Sequence, residues 1–306
     1  MHIAVLGNAG SWYVADLQRA AAERGDRCTR MDYRQLTARV LDPHVDQTPP
    51  SSLISAPEGS LDDCDAVLVR TMPPGSLEQV VFRMDALLTL ESRGVVVVNP
   101  PKAVECAVDK YLCTARLSAA GLPTPPTIVC EDSETALAAF TELGGDVVVK
   151  PVFGSEGRGI LRVSDPDLAL RTFRTLERID AVIYLQKFIE HEGYDVRVLV
   201  LDGQILGGMK RSNLADFRTN VARHGQTEPH AVTEDEAALA LRATQTVGAR
   251  FAGVDLLDGR CGTRYVVEVN AVPGWKAFQR TTGIDVAAAL IDSLRSKHCV
   301  SPNPES

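Results

Sequence analysis

The 306-residue sequence contains no apolar run approaching the ~20 residues that span a bilayer. Its opening, Met1-His2-Ile3-Ala4-Val5-Leu6-Gly7, has no basic segment ahead of the apolar one, so neither a signal peptide nor a membrane span is expected. It has no C-x-x-C pair. Its seven cysteines are scattered and odd in number, which fits reduced thiols in a cytoplasm better than a disulfide framework or a zinc site. An excess of positive charge is also missing. With 32 Lys and Arg against 40 Asp and Glu the net charge is −8, so neither nucleic acid nor a membrane is expected as a partner. No internal repeat or low-complexity tract occurs. What is present is an ordinary globular composition, 45% hydrophobic and 24% charged, with enough length for two domains or three smaller lobes.

Short apolar runs at 3–6, 66–69 and 95–98 alternate with helical patterns near 14–24 and 76–92. This β-α-β alternation predicts a small doubly wound parallel sheet over 1–98. Residues 42–60, with Pro43, Pro49, Pro50 and Pro57, read as loop. Asn99-Pro100-Pro101 marks the first boundary. A central lobe is expected over 99–185, with a helix from Asp109-Lys110 to Ala120 and a strand ending Val147-Val148-Val149-Lys150. The pattern then changes. Residues 194–201 and 204–210 alternate around Asp202-Gly203, a strong hairpin signal. A third lobe rich in antiparallel strands is expected over 186–297, followed by a frayed tail at 298–306.

Four features could carry chemistry. In Lys150-Pro151-Val152-Phe153-Gly154-Ser155-Glu156-Gly157-Arg158-Gly159, three glycines within six residues would let backbone N–H groups approach phosphate oxygens beside a lysine. Alone, the segment reads equally well as a hairpin connecting two strands. It is neither a P-loop, since no Gly-Lys-Ser/Thr follows, nor a dinucleotide fingerprint, since strand follows it rather than helix. Glu268-Val269-Asn270 ends an apolar strand, so the side chains of Glu268 and Asn270 share one face. Asp255 would meet them if its strand pairs antiparallel. Together they form a hard-oxygen set suited to Mg²⁺, and a cation would explain carboxylates inside apolar strands; an edge strand in water is the alternative. Lys110, Arg197, Lys210, Arg211 and Arg218 supply positive charge of the kind phosphoryl transfer needs, although each alone reads as a surface residue. Tyr184-Leu185-Gln186-Lys187-Phe188-Ile189 reads as a strand whose end could offer backbone groups to an adenine edge, or simply as a buried strand.

In order along the chain, Val69-Arg70-Thr71, Asp109-Lys110, Val149-Lys150-Pro151 with its glycine loop, Gln186-Lys187-Phe188-Ile189, Asp195-Val196-Arg197, Asp216-Phe217-Arg218-Thr219-Asn220, Gly253-Val254-Asp255, Glu268-Val269-Asn270 and Pro273-Gly274 resemble the ATP-grasp superfamily, and within it the RimK-type carboxylate–amine ligases. The resemblance implies an ATP-grasp fold, α/β and α+β, behind the N-terminal α/β domain. It implies that Lys110 and Lys150 contact the nucleotide phosphates. It implies that Gly154, Ser155, Glu156, Gly157 and Gly159 would form a flap over them. It implies that Gln186, Lys187 and Ile189 would read adenine, with Glu190 or Asp195 holding the ribose. It implies two Mg²⁺ (or Mn²⁺) ions on Asp255, Glu268 and Asn270. Arg218 and Asn220 would serve the γ-phosphate and acyl-phosphate site, while Arg70 and Arg211 would hold acidic substrate groups, with Arg211 also a candidate at the reacting centre.

The implied reaction is ADP-forming ligation through an acyl phosphate, with L-glutamate as the incoming amine. The resemblance is closest to the branch that glutamylates pterin- or furan-type one-carbon coenzymes such as tetrahydromethanopterin. Alternatives are a ligase using a protein tail or another amino acid, and an ATP-binding regulator without turnover. A cytoplasmic homo-oligomer, dimer or tetramer, is expected.

Overall fold

The computed structural model describes residues 1–42, 53–154, 158–213 and 225–298. They group into two compact units. The first contains Met1–Glu105, Gly248–Phe251 and the chain from Ala271 onward. It opens with β1 (His2–Leu6), α1 (Trp12–Ala22) and β2 (Arg27–Met31). A small antiparallel sheet of β3 (Thr37–Ala38), β4 (Ile54–Ala56) and β5 (Gly59–Ser60) follows, then β6 (Ala66–Val69), α2 (Leu77–Ser92), β7 (Val96–Val98) and α3 (Pro101–Val108). The main sheet is parallel, in the order β2-β1-β6-β7. Ala66, Val67, Leu68 and Val69 are all buried, as expected for a parallel strand covered on both faces. Ser76 and Gln79 start α2 with a reciprocal capping box.

The second unit contains Cys106–Val247 and Ala252–Asn270. Asp109 accepts from Leu112 N–H at 2.9 Å and so starts α4 (Lys110–Ala119) at Lys110. A four-stranded antiparallel sheet is built from β8 (Thr127–Cys130), β9 (Val147–Lys150), β10 (Leu161–Val163) and β11 (Ile183–Lys187), in the order β10-β9-β11-β8. Phe140 from α5 (Ser133–Glu142) and Phe173 from α6 (Pro166–Glu177) pack against its buried side. The other sheet joins β12 (Tyr194–Leu201), β13 (Gln204–Ser212), β14 (Gln226–His230), β15 (Phe251–Asp258) and β16 (Arg264–Asn270), in the order β14-β13-β12-β15-β16, with α7 (Glu234–Val247) packed on it. The β12–β13 turn has positive φ at both Asp202 (47°) and Gly203 (75°), which is the backbone that Asp-Gly predicts. Pro229 sits on the edge strand β14, where a missing N–H costs least.

The chain then returns to the first unit through α8 (Lys276–Thr282) and α9 (Val286–His298), and α9 packs on α1. This differs from three lobes in sequence order with limits at 98, 185 and 297. Arg19 bridges to Asp285, and Arg24 to Asp292, over more than 260 residues of sequence. Asn99 fixes the same return. Its side chain donates to the carbonyls of Phe251 and Ala271 and accepts from Arg250 and Phe251 N–H. The expected loop at 42–60 also differs, since Ile54–Ala56 and Gly59–Ser60 are strands. Its remaining part, 43–52, and the expected tail beyond 298 lie outside the described residues.

Candidate functional site

Within the second unit, a narrow cleft opens to solvent beside α4, β9, β11 and β16. Lys110, Lys150, Tyr184 and Glu268 line it. Lys110 enters from the capped first turn of α4, and its Nζ donates to the Gly154 carbonyl at 2.6 Å. Lys150 is the last residue of β9 and lies directly opposite Tyr184 of β11. Its Nζ donates to Gln186 Oε1 at 2.7 Å. The Gln186 amide in turn donates to Thr127 Oγ1 at 3.0 Å and to the Tyr184 hydroxyl at 3.2 Å. Gln186 is buried, and its side chain holds Lys150 in the cleft. Lys187 points to the other face of the strand and is exposed, while Ile189 is half-buried. Burial pushes the Lys150 ammonium down to about 8; Glu268 and Asp255 oppose that fall and Lys110 adds to it.

The register of β15 and β16 sets Asp255 opposite Glu268 and Gly253 opposite Asn270. A bulge falls between Asp255 and Leu256, which pairs with Val266. Val267 is the extra residue, and both it and Glu268 therefore face the cleft. Strict alternation would have sent them to opposite faces. Glu268 is half-buried and forms no ion pair among the described residues. Asp255 differs from the sequence expectation of an unpaired carboxylate. Arg197 Nε and Nη2 donate to its two oxygens at 2.7 Å each, and Arg211 Nη2 lies 2.9 Å from Oδ2. Desolvation works against the Asp255 charge, yet the two guanidinium groups hold it well below the usual carboxylate range.

Arg211 and Asp195 form a second buried pair. They face each other across β12 and β13, and the Arg211 fork donates to both Asp195 oxygens. Arg211 is only 2% exposed. Burial penalises its charge, and the Asp195 and Asp255 carboxylates more than compensate. Arg211 and Asp195 are thus engaged with each other in this structure. Arg197, expected only as one of several cations, is instead the bidentate partner of Asp255, a pairing across 58 residues that local spacing does not signal. Ser155, Glu156, Gly157, Arg218 and Asn220 lie outside the described residues. Arg70 belongs to the first unit.

The chemistry of the donors fits a hard divalent cation. Glu268 and Asn270 share one strand face, and Asp255 Oδ1, which accepts from Arg197 alone, retains a lone pair, whereas Oδ2 is engaged by both Arg197 and Arg211. Among the described residues no cluster of three His, Cys, Asp or Glu competes with this set, and no helix is long and apolar enough to cross a membrane.

Residues 107–294 match the RimK-like ATP-grasp domain family. The chain is 32% identical to the tetrahydromethanopterin:alpha-L-glutamate ligase of Methanosarcina acetivorans, over 93% of this chain and 95% of that one. It is 31% identical to the probable alpha-L-glutamate ligase of Haemophilus influenzae, over 83% and 87% respectively. The ATP-grasp ligase PsnB, solved with its minimal precursor, Mg and ADP, superposes with a TM-score of 0.75 at 23% identity, covering 96% of both chains. The fold, the domain match and the extent of these similarities agree: the chain belongs to the RimK-like ATP-grasp family and is an ATP-dependent carbon–nitrogen ligase.

Proposed function

We propose that the protein joins L-glutamate to a carboxylate acceptor, an acidic pterin- or furan-type one-carbon coenzyme, through an acyl phosphate, with release of ADP and phosphate. The observation that carries this reading is the convergence of Lys110, Lys150 and Glu268 on one cleft. The 32% identity over 93% of the chain to a ligase named for tetrahydromethanopterin and alpha-L-glutamate supports the choice of substrates.

Both reactants of the first step are anionic, so the barrier lies in repulsion and positioning rather than in a protein nucleophile. Lys110 and Lys150 offset the phosphate charge. Gln186 keeps Lys150 aimed into the cleft. Glu268 and Asn270, with Asp255 beside them, would hold two Mg²⁺ ions, whose positive charge would offset that repulsion. The arginine pair on Asp255 keeps that carboxylate ionised and fixed in direction. Gly154 to Gly159 would close over the triphosphate, with Arg218 and Asn220 at the reacting phosphate. The free thiols among the described residues, Cys28, Cys64, Cys106, Cys113, Cys130 and Cys261, suit a reducing compartment such as the cytoplasm.

The test is ADP release together with the mass of the product, using Mg-ATP, isotopically labelled glutamate and a panel of acidic pterin and peptide acceptors. ADP that forms only when both substrates are present, with a glutamyl mass increment on a pterin acceptor, is expected. Glu268→Gln should keep the fold and lose turnover by ~100-fold or more, the scale of removing one charge-stabilising group. Tight ATP binding without product across the whole panel, or full turnover by the Glu268 variant, would end this reading.

A further inference from the structure

Gln186 is 3% exposed and Tyr184 1%, so bulk water does not complete their hydrogen bonds. Both lie on β11, two residues apart, and their side chains leave the same face. The strand register supplies their neighbours. Gln186 stands opposite Thr127 of β8, and Tyr184 opposite Lys150 of β9.

The direction of each bond in this group follows from its two ends. At one end the Lys150 ammonium can only donate, so at 2.7 Å it must meet the carbonyl oxygen of the Gln186 amide. At the other end the Pro125 carbonyl can only accept, and it takes the Thr127 hydroxyl proton at 2.8 Å. Thr127 Oγ1 is left as an acceptor, and the Gln186 amide nitrogen donates to it at 3.0 Å. The second amide proton goes to the Tyr184 hydroxyl at 3.2 Å. Burial pushes the Tyr184 phenol up, so it keeps its own proton and donates it to Thr114 Oγ1 at 2.9 Å. Thr114 lies four residues after Lys110 on α4, on the same helix face.

Both ends thus demand the same amide orientation. A flipped Gln186 would set its NH₂ against the ammonium and its oxygen against a hydroxyl whose proton is already committed, losing at least two bonds in a buried setting. Apolar side chains of the same shape would fill this part of the sheet without that requirement. What the polar chain adds is a fixed acceptor for Lys150. An ammonium has three donors on a flexible stem, and this bond commits one of them to a set direction. The far end of the chain is on α4, the helix that carries Lys110 into the same cleft.

We propose that Thr127, Tyr184 and Thr114 are positioning residues for the nucleotide: through the one amide orientation they allow Gln186, they hold Lys150 in register with Lys110 for the phosphates. This deepens the ligase reading and rests on it only in taking the two lysines as the phosphate contacts.

Thr127 gives the cleanest test. Thr114, Tyr184 and Lys150 line the cleft, whereas Thr127 does not, so its effect on a nucleotide passes through Gln186. The measurement is titration calorimetry of the intact chain with Mg-ADP, together with the KM of Mg-ATP in turnover. Thr127→Val keeps the shape, suits a strand and removes the hydroxyl. It should raise the Mg-ADP Kd and the Mg-ATP KM by ~3- to 10-fold, the scale of one net hydrogen bond, and leave the KM of glutamate unchanged. Thr127→Ser keeps the hydroxyl and should bind as the wild type does. Tyr184→Phe should act in the same direction as Thr127→Val. In a Lys150→Met chain, adding Thr127→Val should change the Kd by less than about twofold, because the group it acts through is gone.

An unchanged Kd in Thr127→Val, a Thr127→Ser chain as weak as Thr127→Val, or an undiminished Thr127→Val effect in Lys150→Met would overturn the positioning role. Should Thr127→Val not fold, Tyr184→Phe takes its place in the same cycle. Should Lys150→Met bind too weakly to titrate, the contrast between Thr127→Val and Thr127→Ser decides. Product formation with nucleotide affinity insensitive to Thr127 would remove the positioning role and keep the ligase reading. Mg-ADP binding that depends on Thr127 in a chain that forms no product would do the reverse.

Discussion

Lys150 couples nucleotide binding to pH. In the nucleotide-free chain, burial lowers its ammonium to about 8, from 10.5 for an ordinary lysine. A polyphosphate placed against Nζ favours the charged form and would return the group toward or above its ordinary value. Binding at alkaline pH must then take up a proton. With a free-state value of about 8, the uptake is roughly 0.1 proton per nucleotide at pH 7, 0.5 at pH 8 and 0.9 at pH 9. The apparent Kd for Mg-ATP should weaken about tenfold between pH 7 and 9 for the same reason. The nucleotide's own phosphates, with a second ionisation near 6, are fully charged at the upper end and do not obscure the signal. The assay is titration calorimetry at about pH 9 in two buffers of different ionisation enthalpy, where the buffer dependence gives the proton count. Lys150→Met should bind more weakly and lose the uptake. Absence of buffer dependence in the wild type, or an equal uptake in Lys150→Met, would refute the assignment of Lys150 to the phosphates. The sign for the nucleotide-free protein follows from the same shift. Because the folded-state value is below the unfolded one, stability should rise with pH between about 8 and 10.5, by at most about 3 kcal/mol.

Two further predictions concern stability. Asp255→Asn leaves Arg197 and Arg211 facing a neutral amide in a buried setting and should cost about 3–5 kcal/mol, read from the urea midpoint; a loss under 1 kcal/mol would mean that the pairs are not formed in solution. The depressed Asp255 carboxyl also contributes stability that is complete above its ordinary value of 3.8 and is lost as pH falls toward about 2, worth about 2 kcal/mol. Wild type and Asp255→Asn should therefore converge in stability on acidification. Asn99→Ala strips partners from two carbonyls and two N–H groups at once and should cost about 3 kcal/mol or more, with Asn99→Asp, which keeps the acceptor, less damaging. A thermal midpoint unchanged in Asn99→Ala would show that water replaces those bonds.

The local pattern of the sequence determined most of the elements and named the residues of the cleft. The four-valine run before Asn99, the Asp-Gly hairpin and the Asp109 cap each act through neighbours a few residues away, so their backbone consequences are readable from composition and spacing. The same holds for Glu268 and Asn270, whose shared face follows from the two-residue strand period. Tertiary structure alone decided which cation answers Asp255, because Arg197 and Arg211 reach it from a neighbouring part of the sheet 44 or more residues away. It also decided that α8 and α9 close the first unit, that a one-residue bulge turns Glu268 and Val267 to the same side, and that Arg70 lies between Tyr13 and Trp275. Spacing fixes which way a side chain leaves its own backbone. What it meets there is set by strand order and by residues distant in sequence, whose pairing energies a single local window does not contain.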